Sequence, residues 1–264
     1  MPAGVRHPVS KVLSLLRWMA EAGAGPWGVR EIADGLDMSP STVHRVLSLL
    51  HEEGFVYREQ GGRYGLGVEL YRIAHSVTNS FSLHRIALRH LRELVATCNE
   101  TSALCVYRPD THQMMFATVV ESPHPIRYII ETNRWGPLHA GASGLAILAF
   151  LPEVERREVV WQSALPPMTD RTITDPGALE RRLDHIRQLG YAISRGERTP
   201  GAVGIAAPIF GPDGVVLGDV LVTLPEARFD PTMEPGLAGL AMRCANAITL
   251  ELQGQPRARS SSAG

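Results

Sequence analysis

Two adjoining stretches, Val29-Arg-Glu-Ile-Ala-Asp-Gly-Leu-Asp-Met38 and Ser39-Pro-Ser-Thr-Val-His-Arg-Val-Leu-Ser-Leu-Leu50, decide the fold of the first part of this chain. The first predicts a short helix and a turn. The second predicts a helix with an abrupt start. Ser39 can accept from a free backbone N–H as its N-cap, and Pro40 at the first helical position sacrifices no hydrogen bond. Val43, Val46, Leu47 and Leu50 recur at helical spacing and form one apolar face. The other face carries Ser41, Thr42, His44, Arg45 and Ser48. These short donors and acceptors, with one guanidinium, suit phosphates and base edges. Gly54 stands where a helix C-cap belongs. Residues 55–66 then predict a β-hairpin turning at Gln60-Gly61-Gly62, flanked by Arg58, Arg63 and Tyr64.

Helix, turn, helix, hairpin is the order of a winged helix-turn-helix, which inserts its second helix into the DNA major groove. The reading places Ser41, Thr42, His44 and Arg45 at the major groove and counts Ser39, at the start of that helix, among the DNA-binding residues. Arg58, Arg63 and Tyr64 on the wing would meet phosphate or the minor groove. The plain alternative is a helical subdomain with ordinary surface polar residues; the element order and the Ser39-Pro40 start favour DNA.

Working outward, residues 8–22 predict a helix with Val9, Val12, Leu13, Leu16, Met19 and Ala20 on one face, preceded by fraying residues 1–7. Residues 68–78 are compatible with a linking helix, and 81–98 predict an amphipathic one with Leu83, Ile86, Ala87, Leu91, Leu94 and Val95 inward. Strands are expected at 102–108, 113–120 and 126–131, and helices at 143–151, 153–162 and 176–189. Two β-rich runs, 202–210 and 215–224, are joined by the turn Gly211-Pro-Asp-Gly214, and a final helix spans about 231–252. Hairpin-paired strands with helices on their faces predict an α+β fold around a mostly antiparallel sheet.

At 264 residues the chain has room for two domains. Its net charge of −1 gives no global basic signature, which argues against non-specific coating of nucleic acid but not against a reader with a few placed arginines. Cys98, Cys105 and Cys244 are irregularly spaced and match no zinc pattern, so reduced thiols in a cytoplasmic protein are expected, without a metal or cofactor. No apolar run approaches the length of a membrane span, and no membrane partner is expected.

The chain resembles the IclR family of bacterial transcriptional regulators over about residues 8–252. In the head the resemblance rests on Arg30-Glu-Ile-Ala33, Ser39 to Leu47, Gly54-Phe-Val56 and Tyr64-Gly-Leu-Gly67. Beyond it, the carriers are Pro137-Leu-His-Ala140, Ala146-Ile-Leu-Ala149, Ile186-Arg-Gln-Leu-Gly-Tyr-Ala192 and Ile205-Ala-Ala-Pro-Ile209. Their order and spacing together are specific. The resemblance implies a winged head over 1–68, a linker helix over 69–80 and a GAF-like, effector-binding and oligomerising α/β domain over 81–254. A disordered tail over 255–264 completes the expected organisation. It also implies homodimers or homotetramers on palindromic double-stranded operator DNA near metabolic operons. The regulator, in the first instance a repressor, would be controlled by a small-molecule effector.

Departures from the family pattern shape the expected effector. Where relatives that bind small carboxylates carry an Asp and a Cys, this chain has Ser194 and Gly204. Two serines of the later strand become Leu221 and Thr223, and a Gly-Lys becomes Gly144-Leu145. An effector larger or more apolar than glyoxylate fits such a pocket better. Strand alternation sets Asp219 on the same face as Leu221 and Thr223, making it a candidate polar anchor; the alternatives are an exposed charge or a pair with Arg127. The loop from Gly136, with His139, Gly141 and Ala142, runs into a helix capped by Ser143, and free N–H groups there favour an anion. His139 is read equally as a ligand contact or as a group satisfying the backbone. No nucleophile–base set supports an enzyme: Gly141-Ala-Ser-Gly144 lacks the glycine spacing of a hydrolase elbow. The remaining alternative is a DNA-binding protein whose altered pocket has collapsed into core.

Overall fold

The computed structural model describes residues 7–23, 25–80 and 82–254, and of 75–80 and 82 the backbone alone. The tail expected over 255–264, and residues 1–6, lie outside the described residues. The chain divides into two compact units, with the division between residues 81 and 82.

In the first unit, α1 (Pro8–Glu21), α2 (Val29–Leu36) and α3 (Pro40–Glu52) precede the hairpin of β1 (Val56–Arg58) and β2 (Tyr64–Leu66), and α4 (Val68–Ser80) follows. Its core joins Leu15 and Met19 of α1, Ile32 of α2, and Val43, Val46 and Leu47 of α3. The face predicted for α1 needs correction: Val9 and Leu13 are 57% and 55% exposed, and Leu15 takes the inner position. His7, expected to fray, caps α1 by accepting from the Val9 N–H at 3.3 Å. The wing gains a third strand-like partner, because Trp27 and Tyr64 exchange backbone hydrogen bonds of 2.8 Å in both directions.

The second unit begins with α5 (Ser82–Cys98). A six-stranded antiparallel sheet follows, in the order β5-β4-β3-β8-β7-β6. Its strands are β3 (Thr101–Arg108), β4 (Gln113–Val120), β5 (Gly136–Pro137), β6 (Ala192–Arg195), β7 (Ala202–Phe210) and β8 (Val216–Pro225). Between β5 and β6 lie α6 (Ala142–Ala149), α7 (Glu153–Arg157) with a π-helical turn over Glu158–Gln162, and α8 (Pro176–Leu189); α9 (Glu234–Gln253) closes the unit.

Alternation along β7 and β8 sorts the sheet into two faces. Val203, Ile205, Ile209, Val220, Val222 and Leu224 pack against α5 and α9. Ala206 and Leu221, with Ala103 and Cys105 of β3, face α6 and α8. Every residue of α6 is buried, as expected of a helix apolar all round. Ser143 does not cap it; Gly141 holds that position, and the helix starts one residue earlier than expected.

The strand expected at 126–131 does not form. The free edge of β4 is taken by Gly136–Pro137, so residues 126–131 leave the sheet. They are held as a loop: the Arg228 guanidinium donates to the Ile126 carbonyl at 3.1 Å, and the Tyr128 hydroxyl donates to the Pro200 carbonyl at 2.8 Å. The helix expected over 153–162 is regular only to Arg157. Strands β5 and β6, both edge strands, were too short to stand out by periodicity.

Candidate functional site

On α3, Ser39 is the N-cap and accepts from the Thr42 N–H at 3.3 Å; its hydroxyl also contacts the Thr42 hydroxyl at 2.8 Å and that of Ser41 at 3.2 Å. With Val43, Val46, Leu47 and Leu50 turned into the core, Ser41, His44 and Arg45 are exposed and Thr42 half-exposed. Arg45 has no ion pair among the described residues. Its guanidinium, with the imidazole of His44, is available to a partner.

The wing differs from expectation. Tyr64 is 2% exposed and forms part of the head core, so its ring cannot lie against DNA. Arg58 is exposed and packs over that ring, 5.7 Å from the centroid. Arg63 is tied down on the protein: Nε donates to the Pro26 carbonyl at 2.9 Å and Nη2 pairs with Glu31 at 3.1 Å. That pair is half-exposed on both sides, worth about 0–1 kcal/mol, and competing phosphate can break it.

In the second unit, a cavity of about 530 Å³ opens between the sheet and the loops that cross it. Seven of the nine residues expected around an effector line it: Gly141, Ala142 and Ser143 from the start of α6, Ser194 of β6, Gly204 of β7, and Leu221 and Thr223 of β8. Gly204 keeps the floor open, since a Cβ there would stand 3.2 Å from both Ala142 Cβ and Leu221 Cδ1. The polar groups are largely engaged elsewhere. Thr223 Oγ1 donates to the Val203 carbonyl at 2.9 Å, and Ser143 Oγ donates to Asp219 Oδ1 at 2.8 Å. Leu145 is buried in the α6 core, yet the cavity is present; it has not collapsed.

The other two expected residues do not reach the cavity. His139 is buried, with Nε2 2.9 Å from the Pro166 carbonyl, the backbone-satisfying role of the two considered. Asp219 is fully buried one layer behind the cavity wall, and it neither faces solvent nor pairs with Arg127, which binds Glu121. Burial pushes its carboxyl up to about 7, against the opposing influence of Ser143 and Cys105. Its Oδ2 has no hydrogen-bond partner among the described residues.

Sequence reading missed the loop-borne lining. Phe116 of β4, then Tyr128 and Ile130 from the segment expected as a strand, Trp135 just beyond it, and Arg198 beyond β6 all line the cavity. Loop residues carry no periodicity, and only the glycines around Arg198 marked its segment as a turn. No group of three or more His, Cys, Asp or Glu among the described residues could hold a metal. No described helix is long and apolar enough to cross a membrane.

Residues 8–60 match the family model described as the IclR helix-turn-helix domain, and residues 75–250 match the one described as the bacterial transcriptional regulator IclR C-terminal. The chain is 32% identical to the glycerol operon regulatory protein of Streptomyces griseus, over 92% of this chain and 95% of that one. A crystal structure of an IclR-type transcriptional regulator from Silicibacter sp. TM1040 superposes with a TM-score of 0.81 at 29% identity, covering 95% of this chain and 98% of the other. An IclR homologue from Microbacterium hydrocarbonoxydans, crystallised with 4-hydroxybenzoate, gives 0.80 at 25% identity, covering 92% and 100%.

Proposed function

The chain belongs to the IclR family of bacterial transcriptional regulators, and on that premise we propose that it represses a metabolic operon under the control of a ligand held in the second unit. The observation that carries the DNA side is the exposed row of Ser41, Thr42, His44 and Arg45 on α3, presented by a head whose core uses only the opposite face. Those residues read the major groove, and Arg58, with Arg63 once released from Glu31, grips the backbone.

The open, mostly apolar cavity supports a sensor rather than a ligand-free architectural protein. Its lining supports an effector larger or more apolar than glyoxylate. A homo-oligomer is supported by the exposed apolar Val9 and Leu13 on α1. In such an assembly the effector changes operator affinity by altering how two heads meet two half-sites, without touching the reading residues. Neither the cavity lining nor the relatives, which are regulators, support an enzyme.

A mobility-shift titration on DNA flanking the gene tests this. Arg45→Ala should weaken operator binding by about 1–3 kcal/mol while leaving random DNA little affected. Equal loss on both sequences would mean that Arg45 only grips phosphate. Failure of the unaltered protein to prefer any flanking sequence would overturn the regulator reading for that locus.

A further inference from the structure

Three charged side chains line the cavity, and two of them cancel: Arg134 pairs with Glu131 at 3.1 Å. The third, Arg198, pairs with no carboxylate among the described residues. Its one hydrogen bond runs from Nη1 to the Pro137 carbonyl at 3.3 Å, leaving most of its five N–H donors unmatched. It is not a solvated surface arginine. The side chain is half-buried, and burial disfavours its charge; the Cys105 thiol opposes that only weakly and no carboxylate offsets it.

The backbone is shaped around it. A Cβ on Gly136 would stand 2.4 Å from Arg198 Nη2, and one on Gly141 would stand 2.9 Å from Arg198 Cβ. Two glycines therefore leave the channel in which this side chain lies. Around it the walls are flat and apolar: Phe116, Tyr128, Ile130, Trp135 and Leu221. Of the lining hydroxyls, those of Ser143, Thr223 and Tyr128 point their protons at Asp219, the Val203 carbonyl and the Pro200 carbonyl, and those of Ser194 and Thr199 can add a neutral hydrogen bond to a polar ligand group.

A half-buried unmatched cation among apolar walls is complementary to a monoanion with a planar apolar body. We propose that Arg198 is the charge anchor of the cavity, capturing the carboxylate of an aromatic acid while the ring packs against Phe116, Tyr128 and Trp135. Ala142 and Ser143, the first residues of α6, line the same space, and a helix start favours the same charge. The inference rests on reading the cavity as the effector site, and it deepens that reading by naming the ligand class and the residue that selects it.

The test is calorimetric titration of the full chain with benzoate and 4-hydroxybenzoate beside their neutral isosteres, benzamide and 4-hydroxybenzamide. The acids should bind about 10- to 100-fold more tightly than the amides, the effect of charge-assisted hydrogen bonds. Arg198→Gln should bring the acid-to-amide ratio toward one, and Arg198→Lys should keep part of the preference. Acids and amides binding alike to the unaltered protein, or an acid preference that survives Arg198→Gln, would sink the anchor while leaving the cavity as a binding site. No binding by either set at millimolar concentration would overturn both the anchor and the effector reading. Should Arg198→Gln fail to fold, the comparison of acid with amide on the unaltered protein and the Arg198→Lys titration decide.

Discussion

Asp219 and Tyr64 occupy positions whose chemistry suggested ligand and DNA, and burial gives both a different task. The Asp219 carboxyl, raised by burial from 3.8 to about 7, holds its proton more tightly in the folded than in the unfolded chain. Between about pH 4 and pH 7 the unfolded carboxyl is ionised while the native one is still protonated, so its contribution to stability falls as pH rises, by up to about 1.4 kcal/mol per unit. Asp219→Asn should flatten that part of the profile of Tm against pH. Glu251, held low by His90 and Arg89, slopes the other way, so the difference between variant and unaltered protein is the readout. An identical profile for the two would refute the assignment. For Tyr64, Phe should leave operator affinity unchanged, whereas Ala should cost about 3–5 kcal/mol of head stability. A loss of DNA affinity in Tyr64→Phe, with the head still folded, would return the hydroxyl to the interface.

Where a strong start signal and a periodic face coincide, elements formed as read. The cap of α3, the four-residue apolar face beneath it and the Gly61-Gly62 turn of the wing require only neighbours in sequence. Asp175 likewise caps α8 by accepting from the Ala178 N–H at 2.7 Å. Helix α6 obeys a different constraint. A Cβ at Gly144 would stand 2.4 Å from the Leu138 carbonyl oxygen, a backbone atom that cannot swing aside. Helix propensity alone favours Ala over Gly by about 1 kcal/mol. The close approach outweighs it: Gly144→Ala should destabilise the second unit by about 1–3 kcal/mol, read by chemical denaturation. A gain in stability would show that the 136–141 loop yields at little cost.

At the scale of the whole molecule, each unit has its own buried core, with the division at residues 81 and 82. Calorimetry should therefore resolve two transitions. Operator DNA should raise the one belonging to the head, and a cavity ligand should raise the other, because a ligand stabilises the unit that it binds when folded. A single transition moved equally by both would refute independent units. The division also separates two tasks that tolerate change differently. The α3 surface must match base edges, while the cavity keeps its shape with Gly204 and Leu221, which bring no polar side chain to its lining.

Local sequence patterns revealed the winged head, the paired strands β7 and β8 and the inward face of α5, while most of the cavity floor was marked only by the resemblance to the IclR family. Capping, three- and four-residue spacing and strand alternation act between near neighbours and leave a periodic trace. Alternation even put Asp219 on the correct face with Leu221 and Thr223. Depth, though, depends on which distant segments cross that face, and nothing local to β8 records that Ser143, which lines the cavity, covers Asp219 behind it. The same holds for Tyr64, buried by a strand pairing with Trp27. It holds for residues 126–131 too: their apolar pattern reads as a strand, but the sheet edge they would need is already occupied by Gly136–Pro137. Only the tertiary structure brings Arg198 against Gly136 and Gly141, because a loop's position is set by what it packs on and not by its own repeat.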